Sequence, residues 1–179
     1  MKIHYFIIFA LLNVSTNSFA FDTPEILLKS LGISLPKVTS PIGNYAHAVR
    51  DGNYLYFTGK GPSLTAGGYM KGKLGKDFSI EQGQEASRLT VINLLSVIKA
   101  EIGDLSKIEK IIKVTGMVNS VDSFDEHPKV IDGASDLLTK VFGDKIGKHT
   151  RSVFGVNSLP MGIPVEIDMI VKIKRGVTK

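Results

Sequence analysis

The amino-acid sequence predicts an α+β fold, a β-sheet with two helices packed on one of its faces. Three observations carry the prediction. Two stretches, about 79–103 and 128–142, place apolar residues at helical spacing, while the segments around them are β-branched or alternate with period two. The elements then run in the order β-β-(β)-α-β-α-β-β, which is that of an α+β layer. Finally, "VEIDMIVKI" (165–173) puts Val165, Ile167, Met169, Val171 and Ile173 on one face and Glu166, Asp168, Ile170 and Lys172 on the other. Two helices cover only one face, so the apolar set is expected beneath them and Glu166 on the uncovered side.

The elements follow from local chemistry. "TPEILLKSLG" (23–32) is a short helix with Thr23 as cap, Pro24 in its first turn and Gly32 as its stop. "ISLPKVTSPIGN" is an extended connector, because its prolines exclude regular helix. "YAHAV" and "YLYFTGKG" form a hairpin about the Asp51-Gly52 turn, with Tyr45, Tyr54 and Tyr56 expected as strand residues packing an edge. A short strand is expected around Tyr69. Ser79 and Gln82 make a capping box for a helix carrying Ala86, Leu89, Asn93, Leu94, Leu95, Ile98 and Ile102 and ending at Gly103. "KIEKIIKVTGMVNS" is a strand. The second helix, Pro128 to Phe142, aligns Val130, Ala134, Leu137, Leu138 and Val141. Two strands around "NSLPMGIP" close the chain.

Residues 1–20 are set apart. Lys2, an apolar run from Tyr5 to Val14, and the ending Ser18-Phe19-Ala20 have the layout of a secretory signal peptide. The apolar run is shorter than the roughly 20 residues that span a bilayer. Cleavage after Ala20 is expected, leaving no stable membrane anchor and a periplasmic or secreted protein of one domain, 21–179. With 179 residues, 43% of them hydrophobic, the chain supports one well-packed core.

Losing Lys2 with the signal lowers the net charge from +5 to +4. The lysines are interspersed with acids, as in "KDFSIEQGQE", so no nucleic-acid partner is expected. The chain has no cysteine, which excludes disulfides, a thiolate nucleophile and Cys-ligated metal. His4, His47, His127 and His149 have no zinc-like spacing, Gly59-Lys60-Gly61 lacks the phosphate-loop pattern, and no G-x-S-x-G elbow occurs. Neither a metal nor a cofactor is expected. What remains is "HTRSVFGVNSLPMGIPVEIDMIVKI" (149–173), where Arg151 and Glu166 interrupt apolar strands. They are either a cross-strand ion pair or a small anion site, with an arginine fork for a carboxylate and a glutamate to activate water.

The stretches "SPIGNYAHAV", "LYFTGKGP", "GDLSKIEKIIKVTGMVNS", "FDEHPKVIDGASDLLTKVFG" and the closing 148–173 segment resemble, in order over about 23–174, the Rid (YjgF, reactive-intermediate imine/enamine deaminase) family. The likeness is to its longer branch, which carries an N-terminal helix. The resemblance implies a chorismate-mutase-like fold, a mixed β-sheet with two helices on one face, closing into a homotrimer with sites in the clefts between subunits. It further implies hydrolysis of small 2-imino or 2-enamino acids to 2-keto acids and ammonia without metal or cofactor. On that resemblance Arg151 binds the substrate carboxylate and Glu166 places the attacking water, while Tyr45, Gly59 and the Val153 backbone contact substrate. The sequence departs from the family pattern twice. An asparagine early in the second helix of short members falls on Ile131 or Asp132, and the loop 60–77 is longer and differently composed. A non-catalytic small-molecule-binding or interaction trimer is the alternative function; endoribonuclease activity is a third and weaker one.

Overall fold

The computed structural model of the protein describes residues 23–63 and 67–177; the expected signal lies outside them. Helix α1 (Pro24–Ser30) begins at Thr23, whose hydroxyl accepts from the Ile26 amide. It is followed by β1 (Ala48–Asp51), β2 (Tyr54–Lys60), α2 (Ile80–Ile102), β3 (Ile108–Asn119), α3 (His127–Gly147), β4 (Thr150–Val156) and β5 (Val165–Ile173). The Ser79–Gln82 capping box is complete, and Gly103, at φ 82°, ends α2. Helix α3 breaks at Gly143 (φ 68°), one residue past the expected end, and resumes for a last turn.

The strands form one sheet in the order β1-β2-β5-β3-β4. β4 runs parallel to β3; the other neighbouring pairs are antiparallel. β2 and β3 both pair antiparallel with β5 and therefore run the same way. Each of α2 and α3 thus crosses over between parallel strands, and both crossovers step in the same direction along the sheet. Such crossovers share one hand, so both helices land on the same face. β5 accordingly alternates between buried and half-buried along its whole length, with Val165, Ile167, Met169, Val171 and Ile173 in the core. Its other residues face the uncovered side.

That uncovered face is partly apolar. Tyr56 lies between Val49 and Ile170 in the register, Phe154 lies beside Met117, and Val49, Tyr56 and Phe154 are exposed. On the covered side α2 and α3 approach so closely at Gly133 that a β-carbon there would overlap the Gln84 carbonyl of α2.

Two local expectations fail. No strand forms around Tyr69, which makes only an isolated bridge with Ser63. Gly67 and Gly68 precede it at φ 92° and 82°, a left-handed backbone that breaks an extended run. β1 starts at Ala48, leaving Tyr45 in a tight turn where its amide donates to the Gly43 carbonyl. Tyr54 and Tyr56 are in β2, one strand inside the β1 edge, and point from the uncovered face.

Gly133→Ala must push α2 and α3 apart against backbone, an overpacking cost of about 1–3 kcal/mol. Thermal unfolding followed by circular dichroism should show a midpoint lowered by at least ~3 °C; an unchanged midpoint would contradict the close helix contact.

Candidate functional site

Strand register decides where the two singled-out charges go. Arg151 on β4 pairs with Val114 on β3, and Val114 pairs with Met169 on β5. Val114 and Met169 are buried beneath the helices, so Arg151 lies on the helix-covered face. There α3 meets it. Arg151 Nη1 donates to Asp132 Oδ1 at 2.8 Å and to Ser135 Oγ at 3.0 Å. Among the described residues no partner takes its Nε or Nη2, so one edge of the fork is open.

A hydrogen-bond chain fixes this arrangement from behind. The His149 Nδ1–H donates to the Gly147 carbonyl at 2.7 Å, which leaves Nε2 to accept from the Ser135 hydroxyl at 3.2 Å. Burial lowers the pKa of His149 against the opposing effect of the Gly147 bond, with Arg151 and Lys110 lowering it further. The ring is therefore held neutral, as its acceptor role requires. Val153, two residues beyond Arg151, shares the covered face and pairs with Gly116, over which the Ile131 side chain lies. Of the two residues at this point of α3, Ile131 is core and Asp132 is the arginine's partner.

Glu166 occupies the other face. It pairs with Met117 on β3 and lies against Gly59 of β2, where a β-carbon would overlap its carboxylate. The β2–β5 register shifts between Phe57 and Lys60, bringing Gly59 under that side chain. Burial raises the Glu166 pKa, and the neighbouring Asp168 carboxylate raises it further.

The structure thus brings Glu166 to Gly59, and Arg151 to Val153 and Asp132, but does not bring the two groups together within one chain. The cross-strand Arg151–Glu166 ion pair is overturned. β3 separates their strands by two inter-strand steps, about 10 Å, and the side chains leave opposite faces. Tyr45 is half exposed and makes no side-chain hydrogen bond to either group. The Asp132–Ser135 partnership was not foreseen from sequence, although the i, i+3 spacing places both polar groups on one side of α3. Part of the longer loop is pinned to this end of the sheet: Leu74 is fully buried and Lys73 Nζ donates to the Asn157 carbonyl at 2.6 Å. Among the described residues no three His, Asp or Glu side chains are grouped to hold a metal ion.

A five-stranded mixed sheet with both crossover helices on one face defines an α+β domain of the chorismate-mutase-like kind. The family described as "YjgF/chorismate_mutase-like, putative endoribonuclease" matches residues 25–170, and the chain belongs to it. Protein TCP17 of Trypanosoma cruzi is 39% identical over 146 residues, covering 82% of this chain and 91% of its own. The crystal structure of Atu1372 from Agrobacterium tumefaciens superposes with a TM-score of 0.78 at 40% identity, over 86% of this chain and 95% of that one. The 2-iminobutanoate/2-iminopropanoate deaminase of Dermatophagoides farinae is 27% identical, over 79% of this chain and 95% of its own.

The raised Glu166 pKa has a consequence for stability. A carboxyl that binds its proton more tightly when folded makes the protein less stable as pH rises from the usual carboxylate range through the raised value. Glu166→Gln removes that loss. The variant should melt about 1–3 °C above the parent at pH 7 and at the same temperature below about pH 4. Equal melting at pH 7 would mean that burial does not oppose the charge.

Proposed function

We propose that the protein hydrolyses small 2-imino or 2-enamino acids to 2-keto acids and ammonia, at sites that each draw on two copies of the chain. The observation that carries this reading is a half-buried carboxylate, Glu166, held over a glycine with no ion-pair partner among the described residues, while an arginine on the opposite face keeps one edge of its fork unpaired. A name supports the chemistry: the Dermatophagoides farinae relative is a 2-iminobutanoate/2-iminopropanoate deaminase.

Each residue has a definable part. The Nε–Nη2 edge of Arg151 takes the substrate carboxylate in a two-point grip, with Asp132 and Ser135 fixing the guanidinium plane. The backbone at Val153, one strand pleat further on, borders the same position. Glu166 accepts a proton from water as that water adds to the imine carbon, giving a carbinolamine. Glu166 returns that proton to the nitrogen and takes the carbinolamine hydroxyl proton as the C–N bond breaks, so ammonia leaves and the hydroxyl oxygen becomes the carbonyl of the 2-keto acid. An enamine first takes a proton on its β-carbon to become the imine. A raised pKa suits a carboxyl that both accepts and returns a proton. Activity should fall as pH drops through that value, because the water-activating form is the carboxylate. Gly59 gives Glu166 its room, and Tyr45 is assigned to the rim of the pocket.

A substrate of a few atoms cannot reach both side chains of one chain through a sheet. It can reach Arg151 of one copy and Glu166 of another when the exposed Val49–Tyr56–Phe154 face of each meets a neighbour. A cyclic homotrimer supplies three equivalent sites of this kind.

The proposal is tested with an imine generated in place by an amino-acid oxidase, measuring keto-acid release above the uncatalysed rate. Arg151→Ala and Glu166→Ala should each lose nearly all activity with unchanged circular dichroism. Refolding the two inactive variants together should restore about a quarter of the parental rate, because random assembly gives that fraction of sites both native side chains. Activity in either variant alone would remove the assigned role. Two inactive variants without recovery on mixing would remove the shared site.

A further inference from the structure

A second cavity, of about 350 Å³, lies between the 36–39 connector, the end of β2 and the middle of α2. It belongs to neither part of the site above. Lys60, on its wall, pairs with Ile167 and so faces the helix-covered side, opposite Glu166. Arg151 is on β4, three strands away from β2.

The chemistry of its wall is one-sided. Lys37, His47, Lys60, Ser63 and Asn93 line it, and among the described residues no carboxylate does. Lys60 Nζ donates to His47 Nδ1 at 2.8 Å, and His47 Nε2–H donates to the Thr39 carbonyl at 2.6 Å. With Nδ1 accepting and Nε2 donating, the imidazole is neutral and cancels none of the lysine's charge. Lys60 has no acidic partner among the described residues, and burial lowers its pKa. A half-buried ammonium whose side-chain partner is a neutral ring is a desolvated charge lacking compensation. Asn93 Nδ2 donates to the Gly61 carbonyl at 2.7 Å and to Ser63 Oγ at 2.9 Å. Ser63 therefore accepts with its oxygen, and among the described residues no acceptor takes its own O–H, which lines the same cavity as the ammonium.

We propose that this cavity is a binding site for a small monocarboxylate, held by the Lys60 ammonium and the Ser63 hydroxyl with Lys37 at the mouth, and separate from the Arg151 and Glu166 groups. One half-buried cation and one hydroxyl match a singly charged, two-oxygen ligand; a phosphate dianion would require further donors to replace its hydration. The inference does not depend on the proposed deamination.

Sodium propionate, with sodium phosphate as the competing probe, is titrated at constant ionic strength into full-length Arg151→Ala protein, which lacks the other carboxylate-binding group. Propionate should move the ring ¹⁵N resonances of His47 saturably. Adding Lys60→Gln should weaken binding by about tenfold or more, the loss of a charge-assisted hydrogen bond, whereas Lys60→Arg should retain most of it. Should Lys60→Gln fail to fold, Ser96→Leu narrows the cavity from α2 and should give the same loss. No saturable shift, equal affinity in the Lys60→Gln protein, or tighter binding of phosphate than of propionate would each overturn the assignment.

Discussion

The same-handed crossovers of α2 and α3 are the constraint from which the rest of the structure follows. Because both helices settle on one face, each strand residue is either covered or left outside by its parity alone. Glu166 and Arg151 differ in that respect. One leaves the sheet away from the helices, the other toward them, and β3 stands between their strands. Had the crossovers fallen on opposite faces, both sides of β5 would be core and a half-buried carboxylate there would have no place.

The helix-covered charge needs its own support, and α3 provides it. Asp132 and Ser135 meet Arg151 on one nitrogen, and the neutral His149 closes the chain back to the Gly147 carbonyl. The guanidinium is consequently oriented without being saturated. Glu166 is treated in the opposite way: it has burial and a like-charged neighbour, and its pKa moves up accordingly. The two groups thus sit in contrasting surroundings, one a cation with part of its fork unpaired and the other a carboxyl whose pKa is raised.

Much of this was legible in the sequence. The alternation of 165–173 assigned every β5 residue to its face, and the Ser79–Gln82 box and Gly103 bounded α2, because period and capping are local properties. The ion-pair expectation for Arg151 with Glu166 failed for a non-local reason: a cross-strand pair requires β4 and β5, consecutive in the chain, to be neighbours in the sheet, whereas β5 inserts between β2 and β3 and leaves β4 at the edge. Asp132 was visible only as an uncertain register until helix α3 was seated against β4. The 67–69 segment misled for a local reason, since an apparent strand around Tyr69 follows two glycines with left-handed backbone. Family membership was legible from motif order; the division of the candidate site between two faces was not.

The contact of Glu166 with Gly59 makes these two positions a single unit of variation. The volume that a side chain at 59 would fill is already occupied by a carboxylate arriving from a strand distant in sequence. A lineage that abandons the glutamate is released from the glycine as well, and any larger residue fixed at 59 closes the way back. Substitutions at 59 should therefore be read as a record of whether Glu166 was still in use when they arose.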